Sequence, residues 1–372
     1  MKIVSAILDQ MEKSAPYATS KPLRLADVEL SGPGPEEILV KIEAAGLCHS
    51  DLSVINGDRP RPTPMALGHE ACATVMETGS NVADLSPGDR VVLSFLPTCG
   101  HCPSCYSGES YLCDNGAAAN GAGVLLSGES RLQEGTTCVH HHLGVSAFAS
   151  HAVVDHRSAV RIPSDIPVEI AALFGCAVLT GVGAVLNTAK LIAGESVLIY
   201  GMGGVGLSAL LGARAGGGTP IAVIDPSPAK RELALELGAD AALAPDAGPD
   251  AVEKAIGRKP DLVIETVGRA AVLETAYKAA RRGGRIVTVG LPNPTEHLSI
   301  PAVSLVAEGK TLMGSYMGSS VAQRDIPRFI QMWRSGRLPV ERLLTSVSPL
   351  SEINSLFDAL DSGQAIRQIV IP

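Results

Sequence analysis

Positive charge is in short supply in this sequence. It has 30 Lys and Arg residues against 38 Asp and Glu residues, which gives a formal net charge of −8. No basic run with interleaved aromatic residues stands out from this acidic background. Proteins that bind nucleic acid usually present a basic surface to the phosphates. The composition therefore argues against a nucleic-acid partner.

Cysteine is also scarce, with eight residues in a chain of 372. Domains that rely on disulfide bonds in place of a large core are short and rich in cysteine. The sequence therefore does not predict a disulfide scaffold. Five of the eight cysteines nevertheless fall between Cys99 and Cys138, which indicates a local purpose.

Long apolar runs are lacking as well. The uncharged stretch 171–186 is shorter than the roughly 20 residues that a membrane span needs, and it contains three glycines. A buried helix beside a site is the better interpretation. The N-terminal residues lack the apolar core and the cleavage site of a signal peptide. We therefore expect a cytoplasmic protein with no membrane partner.

The pattern of elements predicts two domains in an α/β fold. Hydrophobic residues make up 46% and charged residues 18%, as in a globular protein. Residues 1–95 are β-rich, with strands expected at 38–43 and 71–78, and residues 95–150 are expected to be irregular. From residue 178, strands and helices alternate, which favours a doubly wound parallel sheet. Helices are expected at 325–335 and 352–361, and a strand at 366–371. We predict a first domain of residues 1–177, a second of 178–318, and a return of 319–372 to the first.

A glycine turn lies at the start of the second domain. An apolar run, Val197–Tyr200, leads into Gly201-x-Gly203-x-x-Gly206, and a helical pattern follows. Such a turn lets the backbone approach a pyrophosphate, although glycine turns also occur for purely structural reasons. A second apolar run ends in Asp225, nineteen residues past Gly206, where a carboxylate can bind a ribose hydroxyl. Together these features predict dinucleotide binding.

The cysteine cluster has the spacing Cys99-x-x-Cys102-x-x-Cys105-x7-Cys113. Four thiolates can close the tetrahedral shell of a structural zinc ion and hold a loop that has little apolar content. An iron–sulfur cluster and a redox pair are the alternatives, but the proline that follows the last cysteine in ferredoxin-type motifs is absent.

Three further candidates, Cys48, His69 and Cys176, are far apart in sequence. Taken alone, they would be inert buried thiols and a core histidine. The chain nevertheless resembles the zinc-dependent medium-chain alcohol dehydrogenases over essentially its full length. The resemblance rests on these segments: 46–51, 68–70, the four-cysteine loop, 175–176 with 180–181, 201–206 and 362–367. The long loop from Cys113 to Val153 is similar to the animal and class III branches.

The resemblance implies a GroES-like catalytic domain beside a Rossmann domain, and two zinc ions per chain. Cys48, His69 and Cys176 would hold a catalytic zinc with one position open for water or alcohol. Asp51 would orient His69, and Glu70 would lie behind the metal. Ser50 would accept the alcohol proton. Many relatives have a histidine three residues later as the exit to solvent, where this chain has Ser53.

The same resemblance assigns the cofactor, NAD, and a substrate channel. Asp225 would exclude the 2′-phosphate of NADP, Lys230 would contact the adenosine ribose, and His49 and Arg367 the pyrophosphate. The other positions implied for the cofactor are Gly201, Gly203, Gly204, Val205, Gly206, Thr180 and Leu291. Those implied for the substrate channel are Phe95, Ala118, His142, Tyr316 and Met317, with Leu291 again. The small Ala118 predicts a roomy pocket for a bulky or aromatic alcohol, aldehyde or ketone.

Other interpretations remain open. A thiol-adduct formaldehyde dehydrogenase of the class III kind would need an acidic pair where this chain has 58–61, and an arginine where it has Ala117. A non-enzymatic dinucleotide-binding protein would be expected to lose zinc ligands.

The run 140–142 of three histidines is not expected to chelate one ion, since adjacent residues on an extended segment face opposite ways. We expect a homodimer or homotetramer, because the strand-like stretch 298–312 lies where relatives dimerise.

Overall fold

The computed structural model describes residues 1–372, apart from the side chain of Pro249. Its strands are β1 (Lys2–Leu8), β2 (Leu23–Leu30), β3 (Glu37–Gly46), β4 (Met65–Ala66), β5 (Glu70–Thr78), β6 (Arg90–Leu93), β7 (Leu132–Glu134), β8 (Thr137–His141), β9 (His151–Asp155), β10 (Ala159–Arg161), β11 (Val197–Tyr200), β12 (Ile221–Ile224), β13 (Ala241–Leu243), β14 (Leu262–Glu265), β15 (Arg285–Thr288), β16 (Thr311–Gly314), β17 (Leu344–Pro349) and β18 (Arg367–Ile371). Its α-helices are α1 (Tyr17–Ser20), α2 (His49–Ile55), α3 (Pro103–Tyr106), α4 (Asp114–Ala122), α5 (Val168–Ala172), α6 (Ala177–Gly183), α7 (Gly204–Ala215), α8 (Pro228–Glu236), α9 (Gly248–Ile256), α10 (Ala270–Ala279), α11 (Ala302–Ala307), α12 (Ala322–Arg334) and α13 (Ile353–Asp361).

Two compact units divide the chain. The first comprises Met1–Cys176, Val321–Pro327 and Leu344–Pro372, and the second comprises Ala177–Ser320 and Arg328–Leu343. The sequence-based domains assigned residues 319–372 wholly to the first domain, whereas the structure places 319–320 and 328–343 in the second unit.

The first unit is built from β-sheets. A closed barrel has the order β1-β2-β7-β8-β4, and a second sheet has the order β10-β6-β5-β3-β18-β17, with β9 also paired to β3. The predicted C-terminal strand is present, since β18 pairs with the end of β3 at Ile369↔Gly46. A buried cluster of this unit includes Ile38, Val40 and Val91 from the second sheet and Phe148 and Phe357.

The second unit contains a parallel sheet of six strands in the order β13-β12-β11-β14-β15-β16. All five pairings are parallel. Every residue of β11, β12 and β14 is buried, as expected for parallel strands that are covered on both faces. Because the chain order reverses beside β11, the carboxyl end of β11 is the switch point at which such sheets bind ligands.

Two sequence-based expectations about secondary structure are wrong. Residues 95–150 are not irregular throughout: they contain α3, α4, β7 and β8, and the two strands complete the barrel. The alternation of apolar and polar residues that marks a strand is weak in β7 and β8, since only Leu132 in β7 and Val139 and His141 in β8 are buried. The stretch 298–312 was expected to be extended, but it contains helix α11 before β16 begins at Thr311.

The uncharged stretch 171–186 is buried and helical, but it is broken into short pieces. A turn at Leu173–Gly175 separates α5 from α6, and Cys176 has φ −137° and ψ −73°. A Cβ atom at Gly175 would collide with the carbonyl oxygen of Leu93. Glycine is therefore required where this turn meets the end of β6.

Among the described residues, no single helix has the length and apolar character needed to cross a membrane, although Val168–Gly175 and Ala177–Thr188 pass that test as a bent pair.

Candidate active site

Neighbouring strands of the first unit bring Cys48, His69 and Cys176 together. Cys48 follows β3 and caps α2, while His69 immediately precedes β5. These strands pair so that Gly46 lies opposite Glu70. Cys176 follows the turn that packs against Leu93 in β6, and β6 pairs with β5. The sheet order thus gathers three distant segments at one end of the sheet.

The ligand atoms of Cys48, His69 and Cys176 all lie within 4.8 Å of one another. All three residues are buried, with exposed fractions of 8%, 1% and 6%. The Nε2 atom of His69 is buried and has no hydrogen-bond partner among the described residues. A hydrogen bond from Cys176, acting against burial, lowers the pKa of the Cys48 thiol. Two sulfur atoms and a free imidazole nitrogen form a donor set that suits zinc.

Asp51 fixes the orientation of the His69 ring. Its Oδ1 accepts a bond from Gly68 N at 3.1 Å and lies 3.1 Å from His69 Nδ1. Burial opposes ionisation, but His69 and His142 outweigh it and lower the pKa of Asp51 to about 2. Because an ionised carboxylate can only accept, His69 Nδ1 carries the hydrogen. The Nε2 lone pair of His69 is then directed toward the two cysteines.

Glu70 and Arg367 form a buried pair behind these ligands. Arg367 Nη1 lies 3.6 Å from Glu70 Oε2 and donates to the carbonyl oxygen of Leu47 at 3.1 Å. Burial raises the pKa of Glu70 to about 7, against the attraction of Arg367. The structure therefore places the Arg367 guanidinium against protein groups within the first unit, and its contact with a pyrophosphate stays a prediction.

The residues of the predicted proton relay lie along the first turns of α2. Ser50 Oγ is 3.8 Å from Cys48 Sγ and is partly exposed. Ser53 Oγ donates to the carbonyl oxygen of His49 at 2.8 Å, and the His49 side chain is exposed. Ser50 is thus the hydroxyl beside the candidate metal ligands, while Ser53 bonds to the backbone of its own helix.

Two rings make T-shaped contacts with the His69 ring. The centroids of Phe95 and His142 each lie 5.5 Å from that of His69, at interplanar angles of 86° and 85°. Both were predicted to line the substrate channel, and the structure brings both to the candidate metal site. Ala118, from the same prediction, is exposed on α4.

The four-cysteine loop forms a separate cluster in the first unit. The sulfur atoms of Cys99, Cys102, Cys105 and Cys113 lie within 4.8 Å of one another, and none is in a disulfide. Zn–S bonds of about 2.3 Å in a tetrahedron separate sulfur atoms by about 3.8 Å. The Cys102–Cys113 separation is 3.9 Å. Backbone N–H groups also point at the sulfurs, at 3.2 Å for Cys99 N to Cys113 and 3.3 Å for Cys102 N to Cys99.

Arg157 supports this loop, and the sequence-based analysis missed it. Its Nη1 donates to the carbonyl oxygen of Cys99 at 3.3 Å, while its Nε and Nη2 hold both oxygens of Asp155. His101 Nδ1 lies 2.8 Å from the same carbonyl oxygen. No spacing in the sequence marks Arg157, because it reaches the loop from a distant turn after β9.

The glycine turn of the second unit has the conformation that a pyrophosphate site requires. Gly201 has φ +86°, and a Cβ at Gly206 would collide with the carbonyl oxygen of Gly201. A Cβ at Gly203 would meet nothing within 4 Å, so this side of the turn is open. Helix α7 begins at Gly204 without a side-chain cap, which leaves its first N–H groups and the positive end of its dipole for an anion.

Asp225 stands at the end of β12 beside this turn. Its carboxylate accepts bonds from Met202 N at 2.6 Å and Ser227 N at 2.8 Å. Ser227 caps α8 by accepting from Lys230 N, so Lys230 lies in the first turn of that helix. Asp225 and Lys230 therefore belong to the same short segment that follows the second strand.

Of the remaining predicted residues of the second unit, three lie on neighbouring segments and two are at least partly exposed. A Cβ at Gly181 would collide with Val205 O, and one at Gly318 would lie against Thr180 O. The segments that carry Thr180, Val205 and Met317 are therefore neighbours. Leu291 follows β15 and is 53% exposed, and Tyr316 is partly exposed.

Comparison with known proteins agrees with both units. The Alcohol dehydrogenase GroES-like domain matches residues 34–164, and the Zinc-binding dehydrogenase domain matches residues 204–335. The chain belongs to the zinc-dependent medium-chain alcohol dehydrogenase family. It is therefore an oxidoreductase with a GroES-like and a Rossmann-type domain, as the sequence predicts.

Several members of this family are similar along the whole chain. Geraniol dehydrogenase of Castellaniella defragrans is 38% identical over 94% of each chain. S-(Hydroxymethyl)glutathione dehydrogenase of Synechocystis sp. is 33% identical over 95% of this chain and 97% of its own. The crystal structure of benzyl alcohol dehydrogenase from Acinetobacter calcoaceticus is 29% identical and has a TM-score of 0.93 over 100% of this chain and 99% of its own. The assignment to a long-loop branch stays a prediction.

Proposed function

We propose that the protein interconverts an alcohol and an aldehyde or ketone with NAD, at a zinc ion held by Cys48, His69 and Cys176. The observation that carries this proposal is the convergence of the three donors around His69 Nε2, which has no hydrogen-bond partner within the described part of the chain. Zinc in such a site polarises a carbonyl oxygen and lowers the pKa of a bound hydroxyl. Cys99, Cys102, Cys105 and Cys113 would hold a second, structural zinc ion.

The chain's own side chains supply orientation and proton transfer. Asp51 holds His69 in the tautomer that presents Nε2, and the burial of the site excludes water from around it. Ser50, beside Cys48, accepts the alcohol proton. Glu70 stays behind the ligands with Arg367. His49 remains a candidate for contact with the cofactor.

NAD is the proposed cofactor because a carboxylate stands at the end of β12. Both Asp225 oxygens already accept backbone N–H groups, so the carboxylate is fixed in place and repels a 2′-phosphate. Asp225→Gly should raise KM for NAD by about 10–100-fold, the effect of losing a hydrogen bond to a charged group, and should lower KM for NADP. Asp225→Asn is the variant of similar size: it removes the charge that repels the 2′-phosphate, so KM for NADP should fall, but it turns an amide donor toward one of the two backbone N–H groups.

The substrate is proposed to be a bulky or aromatic alcohol or its carbonyl product. The similarity to a geraniol dehydrogenase and a benzyl alcohol dehydrogenase supports this class. A thiol-adduct formaldehyde dehydrogenase is the second candidate, because an S-(hydroxymethyl)glutathione dehydrogenase is also similar. Ala117 stands where that activity would need an arginine, and the segment 58–61 has one acidic and two basic residues in place of the expected acidic pair.

One assay separates these alternatives. Metal-replete enzyme is tested with NAD and with NADP on geraniol, benzyl alcohol, ethanol, and formaldehyde with glutathione. We expect the highest kcat/KM with NAD and one of the two large alcohols. Equal use of NADP would contradict the cofactor assignment, and activity confined to formaldehyde with glutathione would establish the second candidate.

A further inference from the structure

His142 makes a contact that a residue of the substrate channel would not need. Its side chain is only 1% exposed, and its Nδ1 lies 3.1 Å from Asp51 Oδ1. This is the same oxygen that accepts from His69 Nδ1 at 3.1 Å. One carboxylate oxygen therefore lies between two imidazole rings, of which only His69 is a proposed metal ligand.

The Nδ1 atom of His142 has few other options. The backbone N–H of His142 is bonded to Ala66 O at 3.2 Å and to Ser146 Oγ at 3.0 Å, which fixes the main chain. Nδ1 itself is buried, and its N–H is not aligned on any acceptor among the described residues. Burying an unpaired N–H costs free energy. The ionised oxygen of Asp51, at 3.1 Å, is within hydrogen-bond distance of this nitrogen.

We propose that His142 is a positioning residue, whose Nδ1–H shares the Asp51 carboxylate with His69 and so holds the Asp51–His69 pair in its metal-binding orientation. Backbone hydrogen bonds from Gly68 N and Cys48 N hold the same carboxylate, so His142 would act together with them. The T-shaped contact between the His142 and His69 rings, at an interplanar angle of 85°, also restrains His69. This proposal rests on the proposed function, because it requires Cys48, His69 and Cys176 to hold the metal.

The variants separate the hydrogen bond from the packing. His142→Phe keeps an aromatic ring against His69 and removes the donor. His142→Asn places an amide donor near the position of Nδ1, whereas His142→Gln places it near Nε2, away from Asp51. His141→Gln is the matched control at the neighbouring position, the last residue of β8, because it keeps an acceptor where His141 Nε2 accepts from Arg131 N at 3.1 Å.

The measurement is the release of zinc from folded enzyme to a chromogenic chelator, with Cys48→Ser marking the phase that belongs to this site. We expect about 10-fold faster release of that zinc in His142→Phe and His142→Gln, the lower end of the effect of losing a direct partner of a ligating histidine, because His142 acts through Asp51. Release from His142→Asn and His141→Gln should stay close to wild type. The ratio of kcat/KM for geraniol and benzyl alcohol should not change, since a positioning residue affects every substrate alike.

Several results would overturn the proposal. Wild-type release rates in both His142→Phe and His142→Gln would do so, as would equal acceleration in Asn and Gln or a changed ratio between the two alcohols. If His142→Phe does not fold, the Asn and Gln pair decides. If Cys48→Ser retains as much zinc as wild type, the proposed function itself fails, and this proposal fails with it.

Discussion

The four-cysteine loop and the Cys48–His69–Cys176 group are made of similar side chains but are assembled in opposite ways. The loop gathers its four thiols within fifteen residues, so local spacing alone brings them together. The other group depends on the pairing of β3, β5 and β6 and on the turn at Gly175. We expect the loop to depend on its metal for folding. The sheets hold the second group in place without metal, so its metal can keep one coordination position open for substrate. The variants below should therefore separate stability from activity.

The largest effect is expected from Cys48→Ser. Removing this sulfur takes a ligand from a site that the sheets hold in shape, so turnover should fall below detection with the thermal midpoint almost unchanged. The measurement is kcat/KM on benzyl alcohol together with thermal unfolding. A large fall in the thermal midpoint would show that this site, too, is needed for folding. The proposed difference between the two sites would then be wrong.

Ser50→Ala should have the next largest effect. The hydroxyl lies 3.8 Å from Cys48 Sγ but is not a proposed zinc ligand. Zinc content and the affinity for NAD should therefore stay close to those of wild type. Loss of a proton-transfer group lowers kcat and kcat/KM together, by roughly 10²–10⁴-fold. Near-wild-type activity would mean that the alcohol proton leaves by another route.

Cys105→Ser should have the opposite effects to Cys48→Ser, with lower thermal stability and largely retained activity. It opens the shell of the loop metal, and that loop has little core of its own. We expect the thermal midpoint to fall on the order of 10 °C, and the loop at 99–113 to become sensitive to protease. Activity at low temperature should be largely retained. Loss of activity with an unchanged midpoint would assign the catalytic role to the loop.

The smallest effect is expected from Ser53→Ala. Ser53 Oγ bonds to the carbonyl oxygen of His49, and water can replace it as the proton exit, so kcat/KM should change less than about twofold. Ser53→His should add an ionisation near pH ~6.5, the ordinary histidine value, to the profile of alcohol oxidation. A severe loss in Ser53→Ala would make Ser53 an obligatory part of the relay.

The same difference explains what the sequence could predict. The four-cysteine cluster, the glycine turn with Asp225 and the parallel, doubly wound sheet of the second unit follow from local spacing and periodicity. The approach of Cys48, His69 and Cys176 came only from resemblance to a family, because sheet pairing between distant strands is not written in their spacing. The shared contact of His142 with Asp51 and the support of Cys99 by Arg157 were not predicted at all, since both side chains reach across from other segments. Strands β7 and β8 were missed because few of their residues are buried.

Zinc analysis of three proteins tests the central claim most directly. Wild type, Cys48→Ser and Cys105→Ser are purified without added metal, and zinc per chain is measured by elemental analysis alongside kcat/KM. We predict two ions in wild type and one in each variant, with activity lost only in Cys48→Ser. A single ion in wild type, or loss of the same ion in both variants, would contradict the assignment of two separate sites.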